Sequence, residues 1–193
     1  WKFDCNPPRY RLRDGKPIPY YDGDKRKRRG NKNDGKYVGP SQIIATPVMV
    51  DGRVYVAIGQ DPAHGRGRGM LHCIDGTKTG DVSGSAGIWA YDGIERTMST
   101  ATVADGLVYC PDVAGKLHCV DAETGEPYWV HDTDAETWSS PLVADGKVYL
   151  GTKKHFWVFA AGKQPQVLAQ IRLGAPMYCS AIVANGTLYV ASQ

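Results

Sequence analysis

The chain has 193 residues, of which 42% are hydrophobic and 22% are charged, and its formal net charge is +3. A chain of this size can bury a hydrophobic core as one domain. It has no apolar stretch long enough for a membrane-spanning helix and no leader with a charged and then an apolar region. Because we interpret the sequence as part of a longer protein (below), the missing leader does not exclude export.

Charge divides the chain into two regions. Residues 1–40 contain 12 Lys and Arg against 5 Asp, a balance of +7, whereas the other residues contain 11 basic and 15 acidic residues, a balance of −4. The first region is rich in Pro and Gly and lacks apolar periodicity, so we interpret it as a basic leader or an insertion. Its run Lys25–Arg29 has no interleaved aromatic residues, which favours a solvated charge run over a nucleic-acid partner.

The first predicted hairpin is "VDGRVYV" at residues 50–56. Asp-Gly between two apolar runs is the strongest short hairpin signal, because a type I′ turn needs positive φ at both central residues. Four strands are expected in this unit, beginning near residues 43, 53, 70 and 87.

A loop within this unit carries the first candidate site. In "DPAHGRGRGM", residues 61–70, the side chains of His64, Arg66 and Arg68 are separated by glycines that leave backbone N–H groups accessible. Such a loop suits a carboxylate, a phosphate or an acidic partner, and a solvated loop is the alternative. It is not a dinucleotide-binding motif, because no helix follows it.

The same hairpin returns three times along the chain. "VADGLVYC" starts at residue 103, "VADGKVYL" at 143 and "VANGTLYV" at 183. The four turn glycines, Gly52, Gly106, Gly146 and Gly186, are therefore 54, 40 and 40 residues apart. Strands are expected near 99, 107, 116 and 127, near 138, 147, 155 and 167, and near 178 and 187. Four short strands at a period near 40 indicate an all-β fold, a β-propeller of four-stranded antiparallel blades.

The repeat defines the predicted domain organisation. Residues 1–40 form the basic leader or an insertion between blades, and residues 41–193 form units at about 41–97, 98–137, 138–177 and 178–193, the last incomplete. About three and a half blades cannot close a ring, and an open blade leaves an unpaired edge. We interpret the sequence as a fragment of a propeller of about seven or eight blades; closure by oligomerisation is the alternative.

The five cysteines fit no disulfide scaffold, since their number is odd. If a two-residue turn falls on Ala114-Gly115, Cys110 lies opposite Cys119 at a Cβ separation of about 5 Å, which permits a disulfide. The tripeptide Leu-His-Cys occurs at residues 71–73 and 117–119 and invites a zinc site. Neighbouring residues of a strand point to opposite faces, however, so a structural role is favoured and no metal site is predicted.

At "CVDAETGEPYW", residues 119–129, the sequence resembles the tryptophan-docking repeat of the PQQ-like β-propellers, the quinoprotein alcohol dehydrogenase superfamily. That repeat has the form Ala-x-Asp-x-x-Thr-Gly followed by Trp. Here Cys119 replaces the Ala, and the residues that match the rest of the motif are Asp121, Thr124, Gly125 and Trp129. The first unit is longer, with its Trp displaced to Trp89, and the third unit lacks the Asp-x-x-Thr-Gly.

The resemblance implies a structural role for these residues and leaves the activity open. In this family the Thr-Gly turn closes the outer hairpin, and Trp129 would pack against a neighbouring blade. The enzymes of the superfamily hold the quinone with calcium, an Asp base and, in many, a disulfide between adjacent cysteines; this sequence has no Cys-Cys, and no calcium ligands can be assigned. Other members are non-catalytic, among them a lipoprotein of the outer-membrane barrel-assembly machinery, so the fold alone does not decide the function.

Aligning the units on their turn glycines exposes a second candidate site. Large apolar residues precede the first strand of each unit, and hydroxyl residues follow two positions later. The apolar set is Ile44, Met98, Trp138 and Tyr178, and the hydroxyl set is Thr46, Thr100, Ser140 and Ser180. The first strand is innermost in this family, so these positions should approach the central channel. The hydroxyls either satisfy backbone groups where strands converge or form a binding site at the channel mouth.

These observations favour a non-catalytic binding or scaffold propeller that acts outside the cytoplasm, in the periplasm or at the cell surface, with a protein, peptide or saccharide partner. No cofactor and no catalytic residue is predicted. The alternative is a fragment of a quinoprotein dehydrogenase that uses PQQ and calcium to oxidise alcohols or sugars.

Overall fold

The computed structural model describes residues 1–18, 21–22, 25–26, 41–59 and 67–193. Before the repeats, a short helix and two small antiparallel strand pairs occur: α1 (Pro8–Arg11), β1 (Leu12–Arg13), β2 (Lys16–Pro17), β3 (Tyr21–Asp22) and β4 (Lys25–Arg26). No helix within the described residues is both long enough and apolar enough to cross a membrane.

The repeats form three four-stranded antiparallel sheets and one hairpin, which we call blades 1 to 4. Blade 1 contains β5 (Val48–Val50), β6 (Arg53–Ile58), β7 (Met70–Asp75) and β8 (Gly87–Tyr91). Blade 2 contains β9 (Thr102–Ala104), β10 (Leu107–Pro111), β11 (Lys116–Asp121) and β12 (Pro127–Asp132). Blade 3 contains β13 (Leu142–Ala144), β14 (Lys147–Gly151), β15 (His155–Ala160) and β16 (Val167–Arg172), and blade 4 contains β17 (Ile182–Ala184) and β18 (Thr187–Tyr189).

The predicted hairpins are confirmed. Their turns place Asp105 at φ 50° and Gly106 at φ 73°, and the other three turns have the same conformation. This is the pair of left-handed residues that a type I′ turn requires, so Asp-Gly and Asn-Gly fix the register of each inner hairpin. The second, third and fourth strands begin at the predicted residues.

The innermost strands begin later than predicted, at residues 48, 102, 142 and 182 instead of 43, 99, 138 and 178. The residues just before them bond to side-chain hydroxyls rather than to a strand. The backbone N–H of Ser99, for example, donates to Oγ1 of Thr97 at 2.9 Å. A hydroxyl that takes over a backbone donor removes it from the ladder, which shortens the strand.

The predicted register of the Cys110 hairpin is wrong. Cys110 pairs with His118, and Cys119 pairs with Tyr109, so the two thiols lie on opposite faces and both are free. The reason is the turn. Gly115, at φ 97°, is the last residue of a turn in which its N–H donates to the carbonyl of Asp112. The loop therefore contains three residues, 113–115, instead of the predicted two, and this difference shifts the pairing by one residue. Burial raises the pKa of the Cys119 thiol to about 12, which keeps it protonated.

The core lies between blades rather than within them. Apolar side chains of blade 1, such as Leu71 and Cys73, pack with Val108 and Val120 of blade 2. A second cluster joins blades 2 and 3, and a smaller one around Phe156 joins blades 3 and 4. We call each contact between neighbouring blades a seam. Because the buried area is at the seams, each blade stabilises its neighbours.

A tryptophan closes each of the first two seams. Trp129 is 6% exposed, and its Nε1–H donates to the carbonyl of Gly162 in blade 3 at 2.9 Å. The N–H of Gly162 in turn donates to the hydroxyl of Tyr109 at 2.9 Å. Trp89 donates in the same way to the carbonyl of Ala122 in blade 2 at 3.0 Å. The extra residues before Trp89 are therefore accommodated in the preceding loop and leave the docking geometry unchanged.

The turn that receives Trp89 is built by the Asp-x-x-Thr-Gly motif. The carboxylate of Asp121 accepts the backbone N–H groups of Glu123 and Thr124 at 2.8 and 2.9 Å. The hydroxyl of Tyr128 donates to the other oxygen at 2.7 Å, and this bond above all lowers the pKa of Asp121 to about 2. Gly125, at φ 77°, packs against the Trp89 ring so closely that a Cβ would lie 2.6 Å from it. A glycine is therefore required at this position.

The first residues of the chain also follow the repeat. Residues 1–4 read Trp-Lys-Phe-Asp, which parallels Trp-Ala-Tyr-Asp at 89–92 and Trp-Val-His-Asp at 129–132. Phe3 packs edge-on against His72 at 5.8 Å between ring centroids, and Tyr91 packs against His118 at 5.7 Å. The start of the chain thus contacts blade 1 as the outer strand of blade 1 contacts blade 2.

We predict that Trp129→Ala destabilises the chain by about 3–5 kcal/mol, because it removes both a buried indole and the hydrogen bond across a seam. Thr124→Ala should cost only about 1 kcal/mol, since Oγ1 of Thr124 accepts one exposed backbone N–H, at 3.3 Å. Urea unfolding of both variants measures this difference. Trp1→Ala is the matched control, because Trp1 is 57% exposed. A Trp129→Ala protein as stable as the Trp1→Ala protein would contradict the docking role.

His131 gives the blade 2–blade 3 seam a dependence on pH. Its ring packs edge-on against Trp157 and Phe159 at 5.1 and 5.0 Å, and among the described residues its buried Nε2 has no hydrogen-bond partner. Burial lowers the pKa of His131 below 6.5, and the nearby Asp132 carboxylate offsets only part of this effect. The seam should therefore have its full stability above about pH 6.5, the pKa of an unperturbed histidine. Its stability should decrease as the pH falls from there towards the lowered pKa of the folded state.

His131→Phe keeps the ring packing and removes the titration. We expect its free energy of unfolding to decrease less than that of the wild type between pH 7.5 and 5, with little change at pH 7.5. Urea midpoints at four pH values test this. Parallel curves for the two proteins would show that His131 does not titrate between the folded and unfolded states.

Candidate functional site

One end of the blades carries most of the candidate residues. In an antiparallel blade, the loop between the second and third strands lies at the same end as the connection to the next blade. We call this end the connection face; its described segments are residues 41–47, 67–69, 92–101, 112–115, 133–141, 152–154, 173–181 and 190–193. The Asp-Gly turns and the Asp121 turn lie at the opposite end.

The hydroxyls before the innermost strands link neighbouring blades. The backbone N–H of Thr46 donates to Oγ1 of Thr100 at 3.2 Å, and that of Thr100 donates to Oγ of Ser140 at 2.9 Å. The N–H of Ser140 then donates to Oγ of Ser180 at 2.8 Å. Each blade thus provides the acceptor for the blade before it, which is the backbone-satisfying role of these hydroxyls. We call this series the hydroxyl relay.

Two of the four large residues that precede the innermost strands, Trp138 and Tyr178, form a cluster at the predicted channel mouth. The rings of Trp138 and Tyr178 lie 4.8 Å apart between centroids, at an interplanar angle of 55°. The ammonium of Lys153 lies 4.8 Å from the Trp138 centroid and 5.7 Å from that of Tyr178. Both distances are within the range of a cation–π interaction. The cluster therefore joins blade 3 to blade 4 at the connection face.

A carboxylate completes this cluster. Glu136 accepts the Trp138 Nε1–H on Oε1 at 2.7 Å, and it pairs with Lys153 through Oε2 at 2.5 Å. The side chains of Lys153 and Glu136 are 31% and 33% exposed, so solvent reaches both. We call Glu136, Trp138, Lys153 and Tyr178 the mouth cluster. Ile44, 44% exposed, and the partly buried Met98 precede their innermost strands as Trp138 and Tyr178 do.

The blade 1–blade 2 seam contains a buried polar chain at the same end. The Tyr91 hydroxyl lies 3.1 Å from Nδ1 of His118, whose Nε2 lies 3.0 Å from Oδ2 of Asp112. Asp112 also accepts the backbone N–H groups of Lys116 and Glu95. This series of hydrogen bonds pairs buried polar groups with one another and closes the loop before β11. The second Leu-His-Cys copy therefore has a structural role. In the first copy, Nε2 of His72 lies 2.8 Å from the carbonyl of Cys5.

The predicted binding loop is described only in part. His64 and Arg66 lie outside the described residues. Arg68 is exposed and forms an isolated antiparallel bridge with Glu95. Gly67 packs on the guanidinium of Arg96, which is 1% exposed, at a distance that leaves no room for a Cβ. The end of this loop is therefore anchored at the connection face, and its role in binding anions stays a prediction.

A bound calcium ion needs several oxygen ligands. Within the described part of the chain, no group of three or more His, Cys, Asp or Glu side chains is placed to hold a metal ion. The carboxylate of Glu136, at the channel mouth, uses both oxygens for Trp138 and Lys153. No step of a quinone reaction can be assigned to these residues.

Lys153 and Glu136 were not identified from the sequence. Glu136 precedes Trp138 by two residues, but Lys153 is 15 residues beyond Trp138, in a different loop. Only the antiparallel topology of the blade, which brings the loop of Lys153 to the connection face, identifies the pair. The resemblance to the family gives no motif at either position.

Comparison with known proteins agrees with the repeat. The family model described as outer membrane protein assembly factor BamB matches residues 67–168, which is 102 of the 193 residues. BamB from Moraxella catarrhalis superposes with a TM-score of 0.59 at 17% identity, over 77% of this chain and 40% of that one. The quinohemoprotein alcohol dehydrogenase from Comamonas testosteroni superposes with a TM-score of 0.54 at 22% identity, over 68% and 21%.

These comparisons establish the fold and show how much of each solved relative the chain spans. At such identities the structural likeness shows a shared PQQ-like β-propeller, as the sequence predicted, and nothing of the ligand. The chain spans less than half the length of either solved relative. No curated protein matches the chain in sequence.

We predict that Ser140→Ala destabilises the chain by about 1 kcal/mol, because the N–H of Thr100 loses its acceptor in the next blade. Ser140→Thr should keep wild-type stability, since Thr100 already occupies the corresponding position in the blade before. Thermal melts of the two variants test the relay. Equal melting temperatures for Ser140→Ala and Ser140→Thr would show that solvent replaces the hydroxyl without cost.

Proposed function

The chain belongs to the family described as outer membrane protein assembly factor BamB, and from this membership we propose that it is a non-catalytic scaffold module that binds a protein partner outside the cytoplasm. The family match is the observation that carries the proposal, because it covers most of blades 1 to 3. The family description names the assembly of outer membrane proteins, which supports a protein partner and action in the periplasm or at the cell surface.

The connection face is the surface that we assign to the partner. It carries the partly exposed rings of Trp138 and Tyr178 with a Lys and a Glu beside them. Trp and Tyr are enriched at the energetically important centres of protein interfaces, and polar groups form the rim around them. A saccharide is less well matched, because the ammonium of Lys153 lies over both rings and reduces the surface on which a sugar stacks.

The alternative, a PQQ-dependent dehydrogenase, has weaker support. The quinohemoprotein relative shares the fold at 22% identity, and a shared fold does not transfer an activity. The mouth carboxylate is engaged by the chain's own Lys153 and Trp138. We therefore treat oxidation of alcohols or sugars as the result that would replace the scaffold proposal.

Photo-crosslinking tests the partner surface. A photoreactive amino acid at position 154 lies on the connection face, beside the mouth cluster, where Lys154 is 56% exposed. The same amino acid at position 123 lies at the opposite end of the blades and serves as the matched control, since Glu123 is also exposed. In the periplasm of a Gram-negative host we expect a discrete protein adduct from position 154 and none from position 123.

Two results would contradict this proposal. One is an identical set of adducts from both positions, because the connection face would then have no preference for a partner. The other is dye-linked oxidation of an alcohol or a sugar after the purified protein is incubated with PQQ and calcium. The scaffold proposal expects no oxidation above that of free PQQ.

A further inference from the structure

The mouth cluster has the composition of a site for an organic cation. Two aromatic rings and a carboxylate surround one ammonium group, and both rings lie within about 6 Å of it, the usual limit for a cation–π interaction. The indole N–H of Trp138 holds Oε1 of Glu136, which leaves Oε2 directed at the cation. The carboxylate is thus oriented by the chain before any ligand arrives.

We propose that Trp138, Tyr178 and Glu136 form a binding site for an ammonium or guanidinium group, that Lys153 fills this site in the free chain, and that a Lys or Arg side chain of the partner takes the place of Lys153. The identity of the partner as a protein depends on the function proposed above. The cation site itself depends only on the geometry of the cluster.

The Lys153 side chain is able to leave without disturbing its loop. The loop is closed by Oγ1 of Thr152, which accepts the N–H groups of Lys154 and His155 at 3.2 and 2.9 Å. The backbone N–H of Lys153 donates to the carbonyl of Glu136 at 3.0 Å. None of these bonds involves the ammonium group, whose four-carbon stem is flexible and whose side chain is 31% exposed.

The cluster is not needed to build the fold. In blade 2 the N–H of Val113 donates to the carbonyl of Arg96 at 2.8 Å, just as Lys153 donates to Glu136 in blade 3. Val113 therefore corresponds to Lys153, and Met98 corresponds to Trp138. The same backbone arrangement forms there with an apolar side chain in place of the lysine, so the cation site is an addition to the repeat rather than a requirement of it.

An internal occupant sets the condition for binding. Because Lys153 is attached to the chain, its effective concentration at the site is in the millimolar range or above, and a free amine competes poorly with it. A protein partner that also contacts the surrounding connection face can displace it. Lys153 thus excludes stray amines and admits a basic side chain that arrives on a matching surface.

The test removes the internal occupant and supplies an external one. The probe is N-acetyl-lysine-methylamide, and the observable is the Trp138 indole N–H signal in an NMR spectrum, assigned with Trp138→Phe. In Lys153→Ala we expect a saturable shift, with an apparent affinity at least about tenfold higher than in the wild type. Adding Glu136→Gln to Lys153→Ala should abolish the saturable shift, because the carboxylate then loses its charge.

Two control variants distinguish loss of the internal occupant from a general effect of removing a lysine. Lys154→Ala removes a neighbouring lysine that pairs with the exposed Asp134, and it should titrate like the wild type. Lys153→Met keeps the length of the side chain, and if Lys153→Ala fails to fold, it takes that variant's place in the titration. If neither variant folds, Lys153 is a structural residue and the proposal is wrong.

Two further outcomes decide the source and the site. If 1,5-diaminopentane binds Lys153→Ala at least about tenfold more tightly than the peptide-like lysine, the natural occupant is a free amine and the partner half of the proposal is wrong. If no probe gives a saturable shift, no cation site exists. That failure would leave the scaffold function intact, because crosslinking from position 154 tests it separately.

Discussion

The fold depends on an indole N–H that bonds to a backbone carbonyl in the next blade. Trp89 and Trp129 each fill the space between two sheets and satisfy a turn carbonyl of the following blade. One residue thus combines a large buried apolar area with a directional bond that fixes the position of the next blade. In blade 3 Ala169 takes the place of the tryptophan, because Ala169 pairs with Val158 as Trp129 pairs with Cys119 in blade 2. That seam depends on the cluster around Phe156 and Met177 instead.

The hydroxyl relay fastens the same blades along their inner edge. Because the innermost strands of neighbouring blades adjoin without a shared ladder, their backbone N–H groups need another acceptor, which Thr100, Ser140 and Ser180 supply. An indole therefore holds the outer side of each of the first two seams, and a hydroxyl holds the inner side. The side chains of the connection face can then differ between blades, as Met98 and Trp138 do.

The sequence predicted the repeating parts of the fold well and the site only in part. Asp-Gly turns and the period of 40 residues located the strands, because both follow from local backbone geometry. The pairing of Cys110 was wrong because a left-handed Gly115 added one residue to the turn, which a count of residues does not reveal. The parallel between residues 1–4 and 89–92 was visible in the sequence, but these residues belong to the basic region 1–40, whose composition concealed the repeat. Lys153 could not be placed beside Trp138, since their contact depends on how the blade folds back.

The difference between blades 2 and 3 is the strongest reason to assign binding to the connection face. Two equivalent backbone arrangements carry Met98 and Val113 in one blade and Trp138 and Lys153 in the next. The Asp-Gly and Asn-Gly turns, which the backbone of the inner hairpin requires, recur in every blade. Trp138 and Lys153 do not recur, and side chains on loops that vary while the backbone stays constant are candidates for recognition. The mouth cluster is such a place. It is partly exposed, and its charged groups pair with each other. Lys153 lies in a loop that is held by the Thr152 hydroxyl and by the bond from the Lys153 N–H to the Glu136 carbonyl.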